Sequence, residues 1–426
     1  MSPAMARMPH AREILSGAQP FGFGPVSKLV QIAGYFDRTN VSFIGEGGAL
    51  RYAQLNDRRF AGIEAVDLAD MCAVRAKLRH FDAVISVMEA RLVFAAVRER
   101  KPVFFFDSLL NFWITDRELS QLAEIATIVR SGSEAAATAA LQSLSVHETM
   151  LLSHLLATES YAQSLPGVAP RIAQLRECGC SSVHTTGPMI DLPAIERASR
   201  AAHSPGRSLV ANLGGFTNAF LSYPQTGRYV DIIVRWLVRL AERSRDFDEI
   251  VICSGAFGDS EVRRIGAVDV RIGLLPHEEL MRLVASSSVY LTAPGLTSLH
   301  EAVALSSVPM LLPAQHYGHV MNAAHLAEAS FSAFATSFDA LGLTPELCQD
   351  DLQGTLELAA IAARIDAEPE LFDRFADYMN ESLVRFMART PEERAVQVRE
   401  LRELLGGRPI GPLIQSLQQE LAHAVP

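Results

Sequence analysis

The chain has 426 residues, which is too many for one average hydrophobic core, so we expect two domains. Apolar residues make up 49% and charged residues 20%, the balance of an ordinary globular protein, and no apolar run reaches the roughly 18 residues of a membrane span. The formal net charge of −10 argues against nucleic acid as the main partner, because phosphate backbones are bound by concentrated basic surfaces.

The five cysteines are odd in number and scattered, apart from Cys178 and Cys180. That pair lacks a second ligand pair at zinc spacing, which indicates reduced thiols. The first twelve residues carry arginines and prolines but not the apolar stretch of a secretory signal, so we expect a cytoplasmic protein. The oligomeric state stays open, with a homodimer as one option.

The first part of the chain alternates short β-branched or aromatic runs with amphipathic segments. Strands are predicted at residues 41–45, 83–87 and 102–107, and helices at residues 26–36, 72–81, 91–100 and 116–128. This alternation predicts βαβ units and a parallel sheet. A last short strand with a turn is expected within residues 182–190. Residues 191–207 lack apolar periodicity, which predicts an interdomain connection.

The second part of the chain repeats this scheme. Strands are predicted at residues 209–213, 250–253, 268–272, 289–292 and 308–312, and helices at residues 229–243, 278–286, 298–305 and 320–328. From residue 344 the pattern is only helical, ending with residues 391–405 and 412–424, and the last helix has the option of crossing back onto the first domain. We therefore predict an α/β protein with domains at residues 1–195 and 196–426.

The most informative segment runs from a strand through Gly295 into a helix that carries Glu301. Thr297 or Ser298 stands where we expect the helix N-cap, and the backbone N–H groups of a helix start favour a phosphate. The Glu301 carboxylate could accept both hydroxyls of a ribose. Ser298 and Glu301 also have the spacing of a capping box, which needs no ligand and is favoured on spacing alone.

The flanking residues shift this balance towards a ligand. Leu275 and His277 precede the glycine turn by one helix and one strand, and Gln315, His316 and Asn322 follow after the next strand. In this order the pieces resemble the nucleotide-sugar signature of GT-B glycosyltransferases, both the plant-type and antibiotic UDP-glycosyltransferases and the MurG-type N-acetylglucosaminyl transferases. The resemblance implies two doubly wound Rossmann-like domains that face each other across a cleft, the first binding the acceptor and the second the donor.

The same resemblance implies a role for each matching residue. The base would lie near residues 275–277, the diphosphate at Gly295, Thr297 and Ser298, the ribose at Glu301, and the sugar at Gln315, His316 and Asn322. Leu275 replaces the aromatic residue that stacks on the base in the plant enzymes, which leaves the identity of the base open. Ala293 and Pro294 replace the histidine that often precedes the glycines, so the diphosphate would rely on backbone amides.

A glycine pair, Gly214 and Gly215, closes the first strand of the second domain. Glycines let a backbone approach a phosphate closely, whereas the alternative is a plain turn from strand to loop. In the GT-B plan this strand end faces the interdomain cleft, which favours the ligand interpretation.

Near the N-terminus, Gly22 and Gly24 resemble the glycine-rich turn after the first strand of GT-B acceptor domains. Many relatives carry a histidine general base there, but this chain has no histidine between His10 and His80. Catalysis by the usual histidine is therefore not expected.

Two acids and two cations are the remaining candidates in the first domain. Asp107 and Glu89 each follow a predicted strand and could serve as catalytic base, the alternative for both being a helix N-cap or a solvated acid. An acceptor nitrogen that needs little deprotonation is a further option. Lys28 and Arg91 could bind an anionic sugar or acceptor, unless they are ordinary surface cations.

No metal site and no cofactor are predicted beyond the UDP-sugar co-substrate. Asp246 and Asp248 match the Asp-x-Asp metal motif of another glycosyltransferase fold, but they lie in a charged turn between a helix and a strand. His316 and His319 lack a third ligand at a fixed spacing.

Four segments are also similar to cytosylglucuronate synthases of nucleoside-antibiotic biosynthesis: residues 22–28, 107–113, 161–170 and 212–216. This resemblance implies transfer of glucuronic acid from UDP-glucuronate to free cytosine. The missing histidine fits a nitrogen nucleophile, and Lys28 or Arg91 could meet the sugar carboxylate.

The sequence thus predicts a metal-independent inverting glycosyltransferase that uses a UDP-sugar and a small-molecule acceptor. Two alternatives remain. A UDP-sugar 2-epimerase would turn over its nucleotide sugar without an acceptor, and a non-catalytic glycosyltransferase-like helper would bind and stabilise a partner enzyme.

Overall fold

The computed structural model describes residues 13–20, 23–36, 40–202, 206–214, 223–345, 351–407 and 410–423. Within these residues the chain forms thirteen β-strands in two sheets, flanked by seventeen α-helices. In that part of the chain no helix is both long enough and apolar enough to cross a membrane.

The first sheet has seven strands, all parallel, in the order β3-β2-β1-β4-β5-β6-β7. Its strands are β1 Ile14–Ala18, β2 Val41–Gly45, β3 Gly62–Ala65, β4 Ala83–Val87, β5 Val103–Asp107, β6 Glu159–Gln163 and β7 Val183–Thr186. Every residue of β4 and β5 is buried, as expected for continuous apolar runs that are covered on both faces.

The helices that connect these strands follow the same chain order. They are α1 Gly24–Ala33, α2 Gly47–Leu55, α3 Met71–Leu78, α4 Ala90–Arg98, α5 Leu119–Ser131, α6 Glu134–Gln142, α7 Val146–Leu156 and α8 Val168–Glu177. We call this set of strands and helices the N-terminal unit.

The second sheet has six strands in the order β10-β11-β9-β8-β12-β13. Its strands are β8 Ser208–Asn212, β9 Glu249–Cys253, β10 Glu261–Ile265, β11 Val268–Gly273, β12 Val289–Thr292 and β13 Met310–Leu311. All neighbours pair in parallel except β10, which forms an antiparallel edge with β11. Most of β10 is exposed and it carries charged side chains, which is typical of a protected sheet edge.

The helices of the second part are α9 Leu192–Ala201, α10 Tyr223–Arg243, α11 His277–Ser286, α12 Leu296–Ala304, α13 Tyr317–His325, α14 Asp351–Ala367, α15 Pro369–Met387, α16 Pro391–Leu405 and α17 Ile410–His423. We call β8–β13 with α9–α15 the C-terminal unit. The predicted fold class, α/β with two doubly wound parallel sheets and C-terminal helices, is confirmed.

Residues 191–207, predicted as an interdomain connection, lie between the two sheets and contain a helix that the sequence analysis did not predict. Helix α9 occupies residues 192–201 and has Pro193 in its first turn. Asp191 caps the helix, and its carboxylate accepts a hydrogen bond from Ala194 N at 2.9 Å. Its Ile195 and Ala198 pack in a hydrophobic cluster with residues of α11, such as Val284. Only a narrow stripe of α9 is apolar, so the helical period is hard to see in the sequence. The domain boundary near residue 195 stays a prediction.

The two last helices lie on the N-terminal unit. Leu405, Ile414 and Leu417 belong to the same hydrophobic core as β1 and β5, and Gln418 Nε2 donates to the carbonyl of Tyr35 at 2.9 Å. Helix α16 also contacts α12, where Arg402 donates to the Val303 carbonyl at 3.3 Å. The two helices therefore tie the N-terminal unit to the helix that carries the predicted glycine turn.

Candidate functional site

The second sheet has a topological switch point between β8 and β12. The chain leaves β8 towards β9 and later returns from β11 to β12 on the other side of β8, so the carboxyl ends of these neighbours open a crevice. Open α/β sheets bind ligands at such points. Gly214 follows β8 and Gly295 follows β12, so two separately predicted glycines lie at one place.

Helix α12 begins at this crevice without a side-chain cap. Its N-cap is Gly295, so the prediction of Thr297 or Ser298 as N-cap is wrong. Ser298 lies inside the first turn, and its hydroxyl accepts from Asn212 Nδ2 at 3.3 Å. The capping box with Glu301 is therefore not formed. An uncapped helix N-terminus keeps backbone donors and the positive end of the helix dipole for an anion.

Glu301, in the second turn of α12, is bound to His277 at the start of α11. His277 Nε2 lies 2.7 Å from Glu301 Oε1, and Glu301 is 6% exposed. Burial alone would lower the pKa of His277, but the charge and hydrogen bond of Glu301 outweigh it and the pKa is raised. The structure thus brings together two residues that the sequence predicted for one ligand. Leu275, by contrast, is buried in the hydrophobic cluster beneath them.

On the β8 side of the crevice, Gln315 holds the turn at Gly214. Gln315 Nε2 donates to the Leu213 carbonyl at 2.6 Å, and Gly214 N donates to Asn212 Oδ1 at 3.0 Å. Gly214 has φ of +75°, a left-handed conformation in which glycine is favoured. Gly215 lies outside the described residues.

On the β12 side, helix α13 turns polar side chains towards Pro294 and Gly295. Asn322 Nδ2 donates to the Pro294 carbonyl at 2.6 Å, while its buried Oδ1 has no partner. His316 is the N-cap of α13 and its ring contacts that of His319 in a tilted arrangement, with ring centroids 3.7 Å apart. His319 Nδ1 is also buried without a partner, and burial holds the pKa of His319 well below its ordinary value.

Lys28, in α1 of the N-terminal unit, reaches across to this same helix start. Its Nζ donates to Thr297 Oγ1 at 2.9 Å, and the side chain is almost fully buried. Burial lowers the pKa of Lys28 to about 8, although Glu301 and then Asp107 partly offset the shift. The sequence suggested a sugar or acceptor carboxylate for Lys28, whereas the structure places it against residues predicted for the diphosphate.

Glu89 and Arg91 bind each other. Glu89 is the N-cap of α4, accepting from Arg91 N, and the Arg91 guanidinium donates to both carboxylate oxygens at 2.9 and 3.1 Å. A second carboxylate, Glu46, lies 3.6 Å from Arg91. The structure therefore shows the helix-cap arrangement at Glu89, and the charge of Arg91 is compensated.

Asp107 is fully buried and accepts three hydrogen bonds. They come from Leu109 N at 2.6 Å, Trp113 Nε1 at 2.5 Å and His154 Nε2 at 2.8 Å. The other ring nitrogen of His154 contacts Ser160 Oγ at 2.9 Å. The hydrogen bonds thus run from acid to histidine to hydroxyl, as in a hydrolase triad. Asp107, His154 and Ser160 are, however, all fully buried in the core and inaccessible. His154 and Ser160 were not singled out from the sequence, since neither α7 nor β6 was predicted.

The glycine turn before α1 is only partly described. Gly24 is the first residue of α1, and a Cβ placed on it would meet no atom within 4 Å. Gly22 lies outside the described residues.

A second polar pair at the carboxyl edge of the first sheet was also missed by the sequence analysis. Gln163 and Thr186 are register partners at the ends of β6 and β7, and both are buried. Within the part of the chain that the structure describes, neither the amide nitrogen and oxygen of Gln163 nor the hydroxyl of Thr186 has a hydrogen-bond partner. Buried polar groups are normally satisfied, so this pair has the capacity to bind a polar ligand. Among the described residues no group of three or more His, Cys, Asp or Glu side chains could hold a metal ion.

Several solved structures are similar to this chain. The glycotransferase of kitacinnamycin has 12% sequence identity and a TM-score of 0.49, over 97% of this chain and 100% of that chain. LpCGTa, in complex with UDP, has 14% identity and a TM-score of 0.46, over 93% and 99%. The glycosyltransferase SnogD from Streptomyces nogalater has 14% identity and a TM-score of 0.44, over 97% and 100%. No family model and no curated protein matches the chain. Likeness at this level concerns the fold, and no residue role is transferred from it.

Proposed function

We propose that the chain is a metal-independent, inverting glycosyltransferase that moves a sugar from a UDP-sugar to a small-molecule acceptor. The observation that carries this proposal is the geometry of the β8–β12 switch point. Helix α12 starts there without a side-chain cap, and its Glu301 pairs with His277 of the neighbouring helix α11. A helix start can bind a diphosphate, and the resemblance to GT-B glycosyltransferases implies that Glu301, further along the same helix, binds the ribose.

Each part of the donor has a matching group. Glu301 uses one carboxylate oxygen for His277 and, as a carboxylate, has further lone pairs for ribose hydroxyls. Gln315 and Asn322 border the crevice on either side, where the sugar would extend towards the N-terminal unit. The predicted diphosphate site is the start of α12 together with the turn at Gly214.

The reaction would be a direct displacement. The acceptor nucleophile forms a bond to the anomeric carbon from the face opposite the diphosphate, and the bond from that carbon to the phosphate oxygen breaks with its electron pair remaining on UDP. The amides and dipole of α12 stabilise the charge that develops on the leaving group. Closure of the two units around the donor would exclude water and align the reacting atoms.

The acceptor we propose is a small uncharged nitrogen heterocycle, in line with the finer prediction of cytosine as acceptor and glucuronate as sugar. Asp107 and Glu89 are both engaged by strong donors, so neither is positioned as a general base, and a ring nitrogen needs less deprotonation than a hydroxyl. The Gln163 amide supports this choice, because one amide offers a donor and an acceptor to a ring with the complementary pair.

The test is calorimetric titration of the full chain, without metal, with UDP, UDP-glucuronate, UDP-N-acetylglucosamine and dTDP-glucose. We expect micromolar binding of UDP and of one UDP-sugar, and at least tenfold weaker binding by the E301A variant, which loses the ribose acceptor. The matched control is E278Q, which changes an exposed acid beside His277 that pairs with Arg197.

Turnover then distinguishes the remaining functions. Formation of a sugar–cytosine product with release of UDP would support the proposed acceptor. Conversion of a UDP-sugar to its epimer without any acceptor would establish the epimerase instead. Absence of nucleotide binding together with co-purification of a partner enzyme would establish the helper.

A further inference from the structure

Lys28 presents an unusual charge problem. It is an ammonium group that is only 4% exposed, and among the described residues its hydrogen bonds go to neutral oxygens, Thr297 Oγ1 at 2.9 Å and the Gly24 carbonyl at 3.5 Å. Two carboxylates act on it electrostatically, Glu301 and Asp107, but neither is within ion-pair distance and each binds other donors. A buried cation without a contacting anion is costly, so this position is suited to receiving an anion.

The surroundings of Lys28 independently indicate a ligand. The hydroxyl that it contacts belongs to the first turn of α12, which has no side-chain cap. On the other side of this helix start, the His319 ring lies beside Gly295, with Nε2 3.5 Å from the position of a glycine Cβ, and its buried Nδ1 is unpartnered. Asn322 adds an unpartnered buried oxygen at Pro294. Polar groups from both units thus converge on one helix N-terminus.

We propose that Lys28 is the counter-ion of the donor diphosphate, supplied by the N-terminal unit to a nucleotide held by the C-terminal unit. This inference rests on the proposed function and names a residue for the charge of the leaving group. Lys28 would form an ion pair with the diphosphate in the ground state, and the pair would strengthen as the sugar leaves and negative charge grows on UDP. Lys28 keeps its proton throughout, and the proton of the acceptor nitrogen is released to solvent.

The arrangement also couples donor binding to the contact between the two units. Lys28 reaches the start of α12 only when α1 and α12 lie against each other, as they do here. A bound diphosphate would therefore favour this closed arrangement. Uridine lacks the phosphates and would occupy the Glu301 end of the site without using Lys28.

Calorimetric titration of the full chain with UDP, uridine and inorganic pyrophosphate tests the proposal in four proteins. These are the wild type, K28M, K28R and the control K77M, which changes a half-buried lysine paired with Glu64. In K28M we expect UDP and pyrophosphate affinity to fall by about 10- to 100-fold, with uridine binding unchanged within about twofold. K77M should match the wild type for all three ligands.

The pH dependence provides a readout that a merely structural role would not alter. The charged and titratable groups facing Lys28 are Glu301 and His300 from α12 and Asp107 from the end of β5. Burial lowers the pKa of His300 to about 3, so His300 is neutral across the range tested. The terminal phosphate of UDP and His277 also titrate near neutral pH, so the readout is the difference between the two proteins. Above pH 8 the wild-type affinity for UDP should fall relative to that of K28R, because Lys28 loses its proton while the guanidinium of K28R stays charged.

The outcomes separate the two proposals. If the wild type binds UDP and folded K28M binds it equally well, the role of Lys28 is overturned and the proposed function stands. If the wild type binds uridine but neither UDP nor pyrophosphate, there is no diphosphate site, and both the role of Lys28 and the proposed function are overturned. Should K28M fail to fold by circular dichroism, K28R and its pH profile decide the matter, since an unchanged fall above pH 8 in K28R would contradict the assignment.

Discussion

Glu301 shows how a single spacing can serve two structures. Ser298 and Glu301 are three residues apart, which fits both a capping box and a ribose-binding carboxylate one turn into a helix. The helix starts at Leu296 rather than after Ser298, so Ser298 is too deep in the first turn to cap it. Glu301 instead meets His277, a residue 24 positions earlier. A shift of the helix start by a few residues therefore excludes the capping box, and the ribose role of Glu301 stays a prediction.

The Glu301–His277 pair predicts a pH-dependent stability. The pKa of His277 is raised in the folded protein, so its contribution is complete below the unfolded value of about 6.5 and is lost as the pH rises through the higher folded value. E301Q should therefore lower the free energy of unfolding more at pH 6 than at pH 9. We expect a difference of only about 1 kcal/mol, because solvent partly screens the half-exposed imidazole. Denaturant unfolding at both pH values checks this, and equal costs would contradict it.

Lys28 and Arg91 were treated alike in the sequence, and the structure separates them. Arg91 follows Glu89 by two residues and binds it, a local contact that the sequence itself could have indicated. Lys28 contacts Thr297, which is 269 positions away, and no local pattern predicts such a contact. The charge of Arg91 is neutralised by Glu89 at the start of its own helix. Lys28, by contrast, carries its charge to the C-terminal unit.

At the scale of elements, strands with continuous apolar runs were readily predicted and weakly patterned ones were missed. Strands β4 and β5 are buried throughout, whereas β3 at the sheet edge is mostly exposed and β6 carries Ser160 and Gln163. Helix α9 was missed because most of its apolar residues are alanine. Burial alone does not make a strand predictable, because β1 is buried throughout and β6 nearly so, yet their serine, glycine and glutamine residues interrupt the apolar run and neither strand was predicted.

The turn after β8 provides a test at this scale. Gly214 has φ of +75°, and the nearest atom to an added Cβ is Gln315 Oε1 at 3.9 Å, so G214A would fit in space but strain the backbone. We expect a loss of about 1–2 kcal/mol in unfolding free energy, with weaker UDP binding because Gln315 is anchored on the same turn.

The control for this turn is G24A. Gly24 begins α1, and an added Cβ there meets nothing within 4 Å, so stability should be unchanged or slightly higher. Both variants are compared with wild type by urea unfolding and UDP titration. An unaffected G214A would show that the turn tolerates an ordinary residue and would remove it from the donor site.

At the scale of the whole molecule, one hydrophobic cluster spans both units, while the second sheet also has two clusters of its own. The cluster that contains β1 and β5 also includes Leu299 and Val303 of α12 and reaches Ile414 of α17. Helices α16 and α17 come last in the sequence but pack on the first sheet, and α16 also contacts α12 of the C-terminal unit. The end of the chain therefore holds the two units together. We expect the protein to unfold as one cooperative body.

The variant I414A tests this expectation. Ile414 is fully buried, so truncation to alanine should cost about 2–5 kcal/mol. Unfolding is followed by far-UV circular dichroism, which reports both units, and by fluorescence of Trp113 in a W236F background, which reports the N-terminal unit. The two midpoints should fall together. A dichroism transition that splits into two steps would show that the units unfold independently.

Local sequence patterns determined the fold class, most strands and helices of the second part and the glycine turn at Gly295. These features depend on alternating burial and on turn residues, which are encoded within a few positions of one another. Only the tertiary structure decided that Glu301 pairs with His277, that Asp107 is saturated in the core and that Lys28 lies at the start of α12. Such contacts join residues far apart in the chain. Those of Glu301 and Asp107 form by packing within one unit, and that of Lys28 forms where the two units meet, so no local propensity predicts any of them.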